Sequence, residues 1–327
     1  MLAYAIRRLG QSLFVLVLMS FIVFIGVYAI GNPVELLVNP QADEVERARA
    51  TAALGLDKPF LEQYWVFLKG AASGDLGRSF VYNVPALDLI LDKLPATIEL
   101  AFVAMVIAIA LGIPLGLVAG LKPDSFIGRG IMAGSILGFS LPTFWVGLVL
   151  IMVFSVQLGW LPSNGRGDTV AFAGVPVSFL TADGLAHIAM PAVNLALFKL
   201  SLLIRLTRAG TREAVLQDYV KFARAKGLPQ SRVIGVHVLK NILIPIVTVI
   251  GLELGSVIAF AIVTESIFAW PGTGKLLIDS INQLDRPVIV AYLLVIVTLF
   301  IVINFVVDVL YSMLDPRVRL GGAAASH

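Results

Sequence analysis

Two ionisable side chains stand inside stretches that otherwise suit hydrocarbon. Glu253 lies within the apolar run Ile242–Thr264, and Lys199 lies within His187–Ile204. A charge is expensive there, so such a group must face a protein interior or a watered cavity. Glu253, with the amide of Asn194, therefore has two readings. It lines a path across the membrane, or it makes a hydrogen bond to another span. Lys199 is close enough to the end of its run to snorkel. Asn304 and Asp308 read as interhelical or interfacial groups. No charged pair or series of acids and bases suggests a proton relay.

Catalytic chemistry finds no support. Gly-x-Ser-x-Gly and His-Glu-x-x-His are absent, and no triad stands out. Pro271–Lys275 imitates a phosphate loop, but Ala269 stands where a glycine is needed and Leu276 where a Ser or Thr is needed. The chain has no cysteine, and its three histidines (His187, His237 and His327) fall far apart. We therefore expect no catalytic residue, no metal centre and no cofactor held by this chain.

The elements that carry these groups are membrane spans. Of the 327 residues 58% are hydrophobic and 14% charged, which a soluble domain cannot accommodate. Six apolar runs approach the roughly 20 residues a helix needs to cross. They are Leu9–Ile30, Leu100–Leu121, Ile131–Leu158, His187–Ile204, Ile242–Thr264 and Val288–Val307. The first exceeds a signal-peptide core and lacks a cleavage site, so it reads as a retained span with Arg7 and Arg8 in the cytosol. Alternating from there places 15 of the 24 Lys and Arg inside, and six of the others fall between Gly31 and Pro95. Short loops follow the positive-inside rule while a long loop crosses regardless of charge, so both termini are expected in the cytosol.

The fold class expected is an all-α integral membrane protein of six transmembrane helices. Its parts are an N-terminus with the first span (1–30), an external loop (31–95), a transmembrane core (96–315) and a cytosolic tail (316–327). In the loop, Gln41–Leu54 and Pro59–Gly70 read as short helices, the second with Phe60, Tyr64, Trp65 and Phe67 near one face. They form a structural cap or a docking and gating surface. Gly112, Gly116 and Gly120 in span two and Gly130, Gly134 and Gly138 in span three repeat every four residues, a spacing that lets helices approach closely. Pro114, Pro142, Pro191 and Pro245 mark fixed bends or hinges.

A charged stretch between Arg205 and Lys240 interrupts the apolar chain on the cytosolic side. Within it, 212–228 reads as an amphipathic helix. Val215, Leu216, Tyr219, Val220, Phe222 and Ala223 form its stripe, beside Asp218, Lys221 and Arg224. Gly227 stops it, Pro229 prevents continuation, and Ser231 can cap a new helix. Such a helix lies on lipid headgroups or presses against a soluble partner.

Six segments, in order, carry a resemblance over nearly the whole chain. They are Leu54–Pro59, Gly74–Gly77, Leu94–Leu100, Asp218–Val220 with Ala223–Leu228, Thr264–Gly272 and Asp315–Arg319. The chain resembles the permease subunits of ATP-binding-cassette importers, in the oligopeptide, dipeptide and nickel branch, and within it the B-type dipeptide permeases. The family's coupling signature, Glu-Ala-Ala with a later glycine, maps onto Lys221, Phe222, Ala223 and Gly227. Only the last alanine and the glycine match, and the acid is displaced to Asp218. Arg212-Glu213-Ala214 lacks a glycine at the required offset.

The resemblance implies the type I importer permease fold and a non-catalytic subunit in a bacterial inner membrane. Asp218, Tyr219, Val220, Phe222, Ala223, Arg224, Ala225, Lys226 and Gly227 would couple to an ATPase. Implied partners are a homologous second permease, two cytosolic ATPase subunits or domains holding ATP and Mg, an external substrate-binding protein, and the lipid bilayer. No nucleic acid is expected. The implied cargo is a di- or oligopeptide, with nickel chelates or glutathione as alternatives. A self-contained secondary transporter is a different class, and it predicts an internal repeat and discontinuous spans with charged pairs.

Overall fold

The computed structural model describes residues 2–29, 34, 38, 43–53 and 55–314, and side chains within 10–26, 34, 38, 43–52 and 55–307. The Asp315–Arg319 motif, the tail, His327 and the side chains of Arg7, Arg8 and Asp308 lie outside the described residues.

Among the described residues, eleven helices follow along the chain. They are α1 (Leu2–Ala29), α2 (Glu44–Ala53), α3 (Phe60–Ala72), α4 (Ala86–Leu121), α5 (Phe126–Ser140), α6 (Thr143–Gln157), α7 (Ala182–Val215), α8 (Asp218–Ala225), α9 (Gln230–Ile267), α10 (Thr273–Asn282) and α11 (Arg286–Leu314). Four of these, α4, α7, α9 and α11, are long and apolar enough to cross a membrane, and the α5–α6 pair makes a fifth if counted as one span. Gly10–Gly26 of α1 is a shorter apolar segment. The long helices outrun the apolar stretches of the sequence because their flanking charged turns stay helical. They also run uninterrupted through Pro114, Pro191 and Pro245.

The third expected span is not one continuous helix. Its halves are bent by 105°. A residue before proline is pushed out of the helical region, and Leu141 before Pro142 has φ −80° and ψ 133°. The chain also carries a small antiparallel hairpin, β1 (Val170–Phe172) with β2 (Val175–Val177), which the all-helical expectation omits. Ala173 and Gly174 both have positive φ, 51° and 83°, the turn chemistry that joins two strands in two residues.

Two compact units divide the chain, and residues 1–97 with 271–302 form the first. There Phe21 and Phe24 of α1 meet Phe60 and Tyr64 of α3 edge-on, with ring centroids 5.2–6.2 Å apart. Phe60, Tyr64 and Phe67 recur at helical spacing, whereas Trp65 turns outward beneath the Lys69 ammonium, 5.4 Å from its ring. Asp43 caps α2 by accepting the Glu46 N–H at 2.8 Å. Fully buried Asp285 accepts from the Ser79 hydroxyl and from the Phe80 N–H at 3.0 Å, which pins the loop before α4.

The second unit comprises residues 98–270 and 303–327. Its α4–α7 seam runs along one glycine ladder. A Cβ built on Gly112, Gly116 or Gly120 would fall 2.8, 2.5 or 2.6 Å from the Cβ of Leu203, Thr207 or Thr211. The second ladder behaves differently. Gly138 meets Ser201 Oγ at 2.9 Å, but Gly130 and Gly134 have nothing within 4 Å, so they are not packing residues among the described elements. Outside the ladders, Gly251 packs closely against Val307, and Gly147 against Ile267 and Phe268.

Candidate coupling helix and membrane-embedded polar cluster

The expected helix over 212–228 is two elements. Arg212–Val215 form the end of α7, whose last N–H groups close in tight turns, Leu216 to Glu213 O and Gln217 to Ala214 O. Gln217 is extended (ψ 150°), and α8 starts at Asp218. Asp218 in the first turn and Arg224 in the last complement the helix dipole. At the far end Gly227 takes φ +73°. Its N–H bonds Arg224 O at 2.9 Å while the Leu228 N–H reaches Ala223 O at 3.3 Å, the paired bonds of a Schellman stop. Pro229 follows, and α9 begins at Gln230, so Ser231 does not act as the cap.

The expected apolar stripe splits between two faces. Val220 and Ala223 are buried, and α8 packs against the wide-turned segment Val233–Val238 that opens α9. Leu216, Tyr219 and Phe222 instead remain 71%, 40% and 62% exposed. Lys226 extends over the Phe222 ring at 4.5 Å, and Lys221 pairs with Asp218 at 2.9 Å in the open. Burying a large apolar side chain is worth about 1.5–3 kcal/mol, so this exposed trio gains stability only by being covered.

Inside the apolar region the structure brings together two residues that the sequence kept apart. Lys199 does not snorkel. It is buried, and its ammonium donates to the Glu253 carboxylate and to Ser256 Oγ at 2.7 Å. Ser256 lies 2.6 Å from Glu253 Oε2, which closes a three-membered cluster between α7 and α9. Of the two readings of Glu253, a bond to another span is present. Its side chain nevertheless stays 26% exposed, so one edge is open. The expectation of no charged pair is thereby corrected. Burial of one ion is tolerable because the opposite ion and a hydroxyl complete its coordination. Asn194 is fully enclosed and donates to Thr264 Oγ1 at 3.0 Å, near Gly147.

A third cluster had no assigned role in the sequence. Buried Glu99 accepts from Arg166 Nε (2.9 Å) and Nη2 (2.5 Å), from Ser178 N (2.5 Å) and Oγ (2.9 Å), and from Phe179 N (3.0 Å). Arg166 also donates to Pro176 O at 2.6 Å and lies 5.8 Å from the centroid of buried Trp270. One carboxylate thus clamps the hairpin loop onto α4. Glu99 and Trp270 both fall in segments that carry the resemblance, which was the available signal.

Residues 112–320 match the family described as "Binding-protein-dependent transport system inner membrane component", and residues 1–101 match its N-terminal counterpart. The chain belongs to this family. As a binding-protein-dependent transport system component, it is a multi-pass inner membrane subunit. The di/tripeptide transport system permease protein DppB of Pseudomonas aeruginosa (strain UCBPP-PA14) is 40% identical, over 98% of this chain and 99% of that protein. The dipeptide transport system permease protein DppB of Escherichia coli (strain K12) is 37% identical over 98% and 99%. The glutathione transport system permease protein GsiC of Escherichia coli O6:H1 is 37% identical over the same shares. Among solved structures, the MetNI methionine ABC transporter in an inward-facing conformation has a chain of the same fold. Its TM-score is 0.52 at 16% identity, covering 69% of this chain and 96% of that one.

Proposed function

We propose that this transport component forms half of the transmembrane pathway of an ATP-driven importer of di- or oligopeptides. A homologous permease supplies the other half, two cytosolic ATPase subunits bind and hydrolyse ATP with Mg, and an external binding protein delivers cargo. This chain holds no cofactor and performs no catalysis. Both termini and α8 lie in the cytosol, six helical passages cross the membrane, and the loop 31–95 lies outside.

The observation that carries this reading is an exposed apolar trio, Leu216 in the turn before α8 and Tyr219 and Phe222 on α8 itself. A groove on an ATPase would cover that face. Val220 and Ala223 would pass the ATPase's movement to α9 through their own packing. The Glu253 edge of the Lys199 cluster is the candidate lining of the path, whereas Asn194, fully enclosed and bonded to Thr264, is a bond between helices and not part of that lining. Peptide cargo is supported by near-full-length similarity to a di/tripeptide permease. Similarity to a glutathione permease supports the second reading, the same machinery carrying a peptide-like thiol.

ATP-dependent uptake into vesicles tests the class, because transport by this chain without ATPase subunits would overturn it. Crosslinking tests the contact. Phe222 and Arg224 are the positions of choice, since Ala223 faces inward. Ligand profiling of the cognate binding protein decides between peptides and glutathione.

A further inference from the structure

Lys199 and Arg205 stand less than two turns apart on α7, and only the first has a counter-ion. The Lys199 ammonium meets Glu253 and Ser256. Among the described residues, no carboxylate lies within 4.0 Å of Arg205. Its Nε makes one long bond, to Ser201 O at 3.4 Å, and its Nη groups have no acceptor among those residues.

The bond to Ser201 also sets the direction of the side chain. Ser201 lies a turn back, inside the uncharged stretch that ends at Ile204. A cation reaching for the nearer water would extend forward, toward Arg208 and Arg212, which follow on the same face at the charged end of the helix. Arg205 leans the other way. What receives it is aromatic. Its guanidinium carbon lies 4.4 Å from the centroid of the Phe139 ring on α5. Phe139 in turn stacks on Phe198 of α7, with centroids 4.7 Å and planes 27° apart. Both rings stay partly exposed. A ring face attracts the cation without using its N–H groups, which remain for another acceptor.

An ionised group at this depth needs a watered cavity or an opposite charge. The planar fork of a guanidinium suits a carboxylate. A lipid phosphate stays at headgroup level, nearer the charged end of α7. A peptide in transit brings a carboxylate at its C-terminus whatever its side chains, and open aromatic rings beside the cation suit those side chains.

We propose that Arg205 receives the C-terminal carboxylate of the cargo during transit, with Phe139 and Phe198 flooring the space beside it. This rests on the peptide reading above and adds a specificity to it: the permease itself selects for a free carboxylate, a group that every unmodified peptide carries.

The test uses the assembled permeases and ATPases in nanodiscs, where both membrane faces are open to solution. The probe is a tripeptide whose middle residue is a photoactivatable leucine analogue, supplied as the free acid or as the C-terminal amide. Adducts are mapped by mass spectrometry. The free acid is expected to label the surroundings of Phe139 and Phe198 roughly ten-fold more than the amide, the worth of a hydrogen bond to a charged group. Arg205→Gln should lower the free-acid labelling to the amide level, with matched melting curves. Equal labelling by the two probes in the unmodified complex, a difference that persists in Arg205→Gln, or no adduct at these rings would each overturn the proposal. Loss of the second permease from the Arg205→Gln complex would also overturn it, since the carboxylate would then be the partner's. Uptake of the free tripeptide by the complete transporter with its binding protein checks the peptide reading separately. No uptake would sink that reading, whereas uptake without labelling would sink the Arg205 site alone.

Discussion

Lys199 on α7 donates its ammonium to the Glu253 carboxylate on α9, and Ser256 bridges the two. Removing one ion of a buried pair strands the other, at about 3–5 kcal/mol, whereas replacing both with apolar groups is near neutral. Lys199→Met and Glu253→Leu should each lower the melting temperature of the detergent-solubilised protein, and the double variant should recover most of the loss. Additive losses would mean that the pair is not coupled.

Glu253→Ala should impair uptake while the complex remains assembled, because the open edge of the carboxylate faces the proposed path. Uptake assayed beside co-purification of the ATPase separates the two effects. Unchanged transport would remove Glu253 from the path.

On α8 the two faces should respond differently. Phe222→Asp leaves the fold intact and should reduce ATP-driven uptake at least ten-fold. Val220→Asp buries an unpaired charge and should destabilise the rod itself. Circular dichroism and uptake together distinguish them, and a Phe222→Asp variant with full uptake would refute ATPase docking on that face.

Gly116→Leu drives a side chain into Thr207 and should cost about 1–3 kcal/mol or more. Gly130→Ala and Gly134→Ala should leave the stability of the isolated chain unchanged or raise it slightly, since nothing stands within 4 Å. Thermal melts of the three variants check this.

Glu99→Gln should release the hairpin loop. One hydrogen bond to a charged group is worth about 1.5–3 kcal/mol, roughly ten- to hundred-fold in an opening equilibrium. Amide exchange at Ser178 and Phe179 should quicken by that factor, while α7 beyond Asn194 stays protected.

Hydropathy alone made the long helices legible, because hydrocarbon imposes one solution on every uncharged run. Gly227 and Pro229 marked the end of α8 for the same local reason, a left-handed residue followed by one without an N–H. Facts set by which surfaces face each other were not legible. The pairing of Lys199 with Glu253 joins residues far apart in sequence, and neither run names its neighbour. Likewise the two glycine ladders look equivalent in sequence, yet Gly116 has Thr207 opposite and Gly134 has open space. Pro142 was visible as a bend, but whether the chain kinks or turns sharply depends on packing beyond the dipeptide. The small hairpin hides in a loop whose Ala173-Gly174 turn is an uncommon choice.

The sharp corner between α5 and α6 has an electrostatic consequence. Pro142 has no N–H to offer the Gly138 carbonyl, and the first N–H groups of α6 likewise have no earlier turn to bond. Such bare dipoles cannot rest against lipid tails without a penalty of several kcal/mol. The elbow must therefore be wet or sheathed by polypeptide wherever it sits, so it marks a place from which acyl chains are shut out.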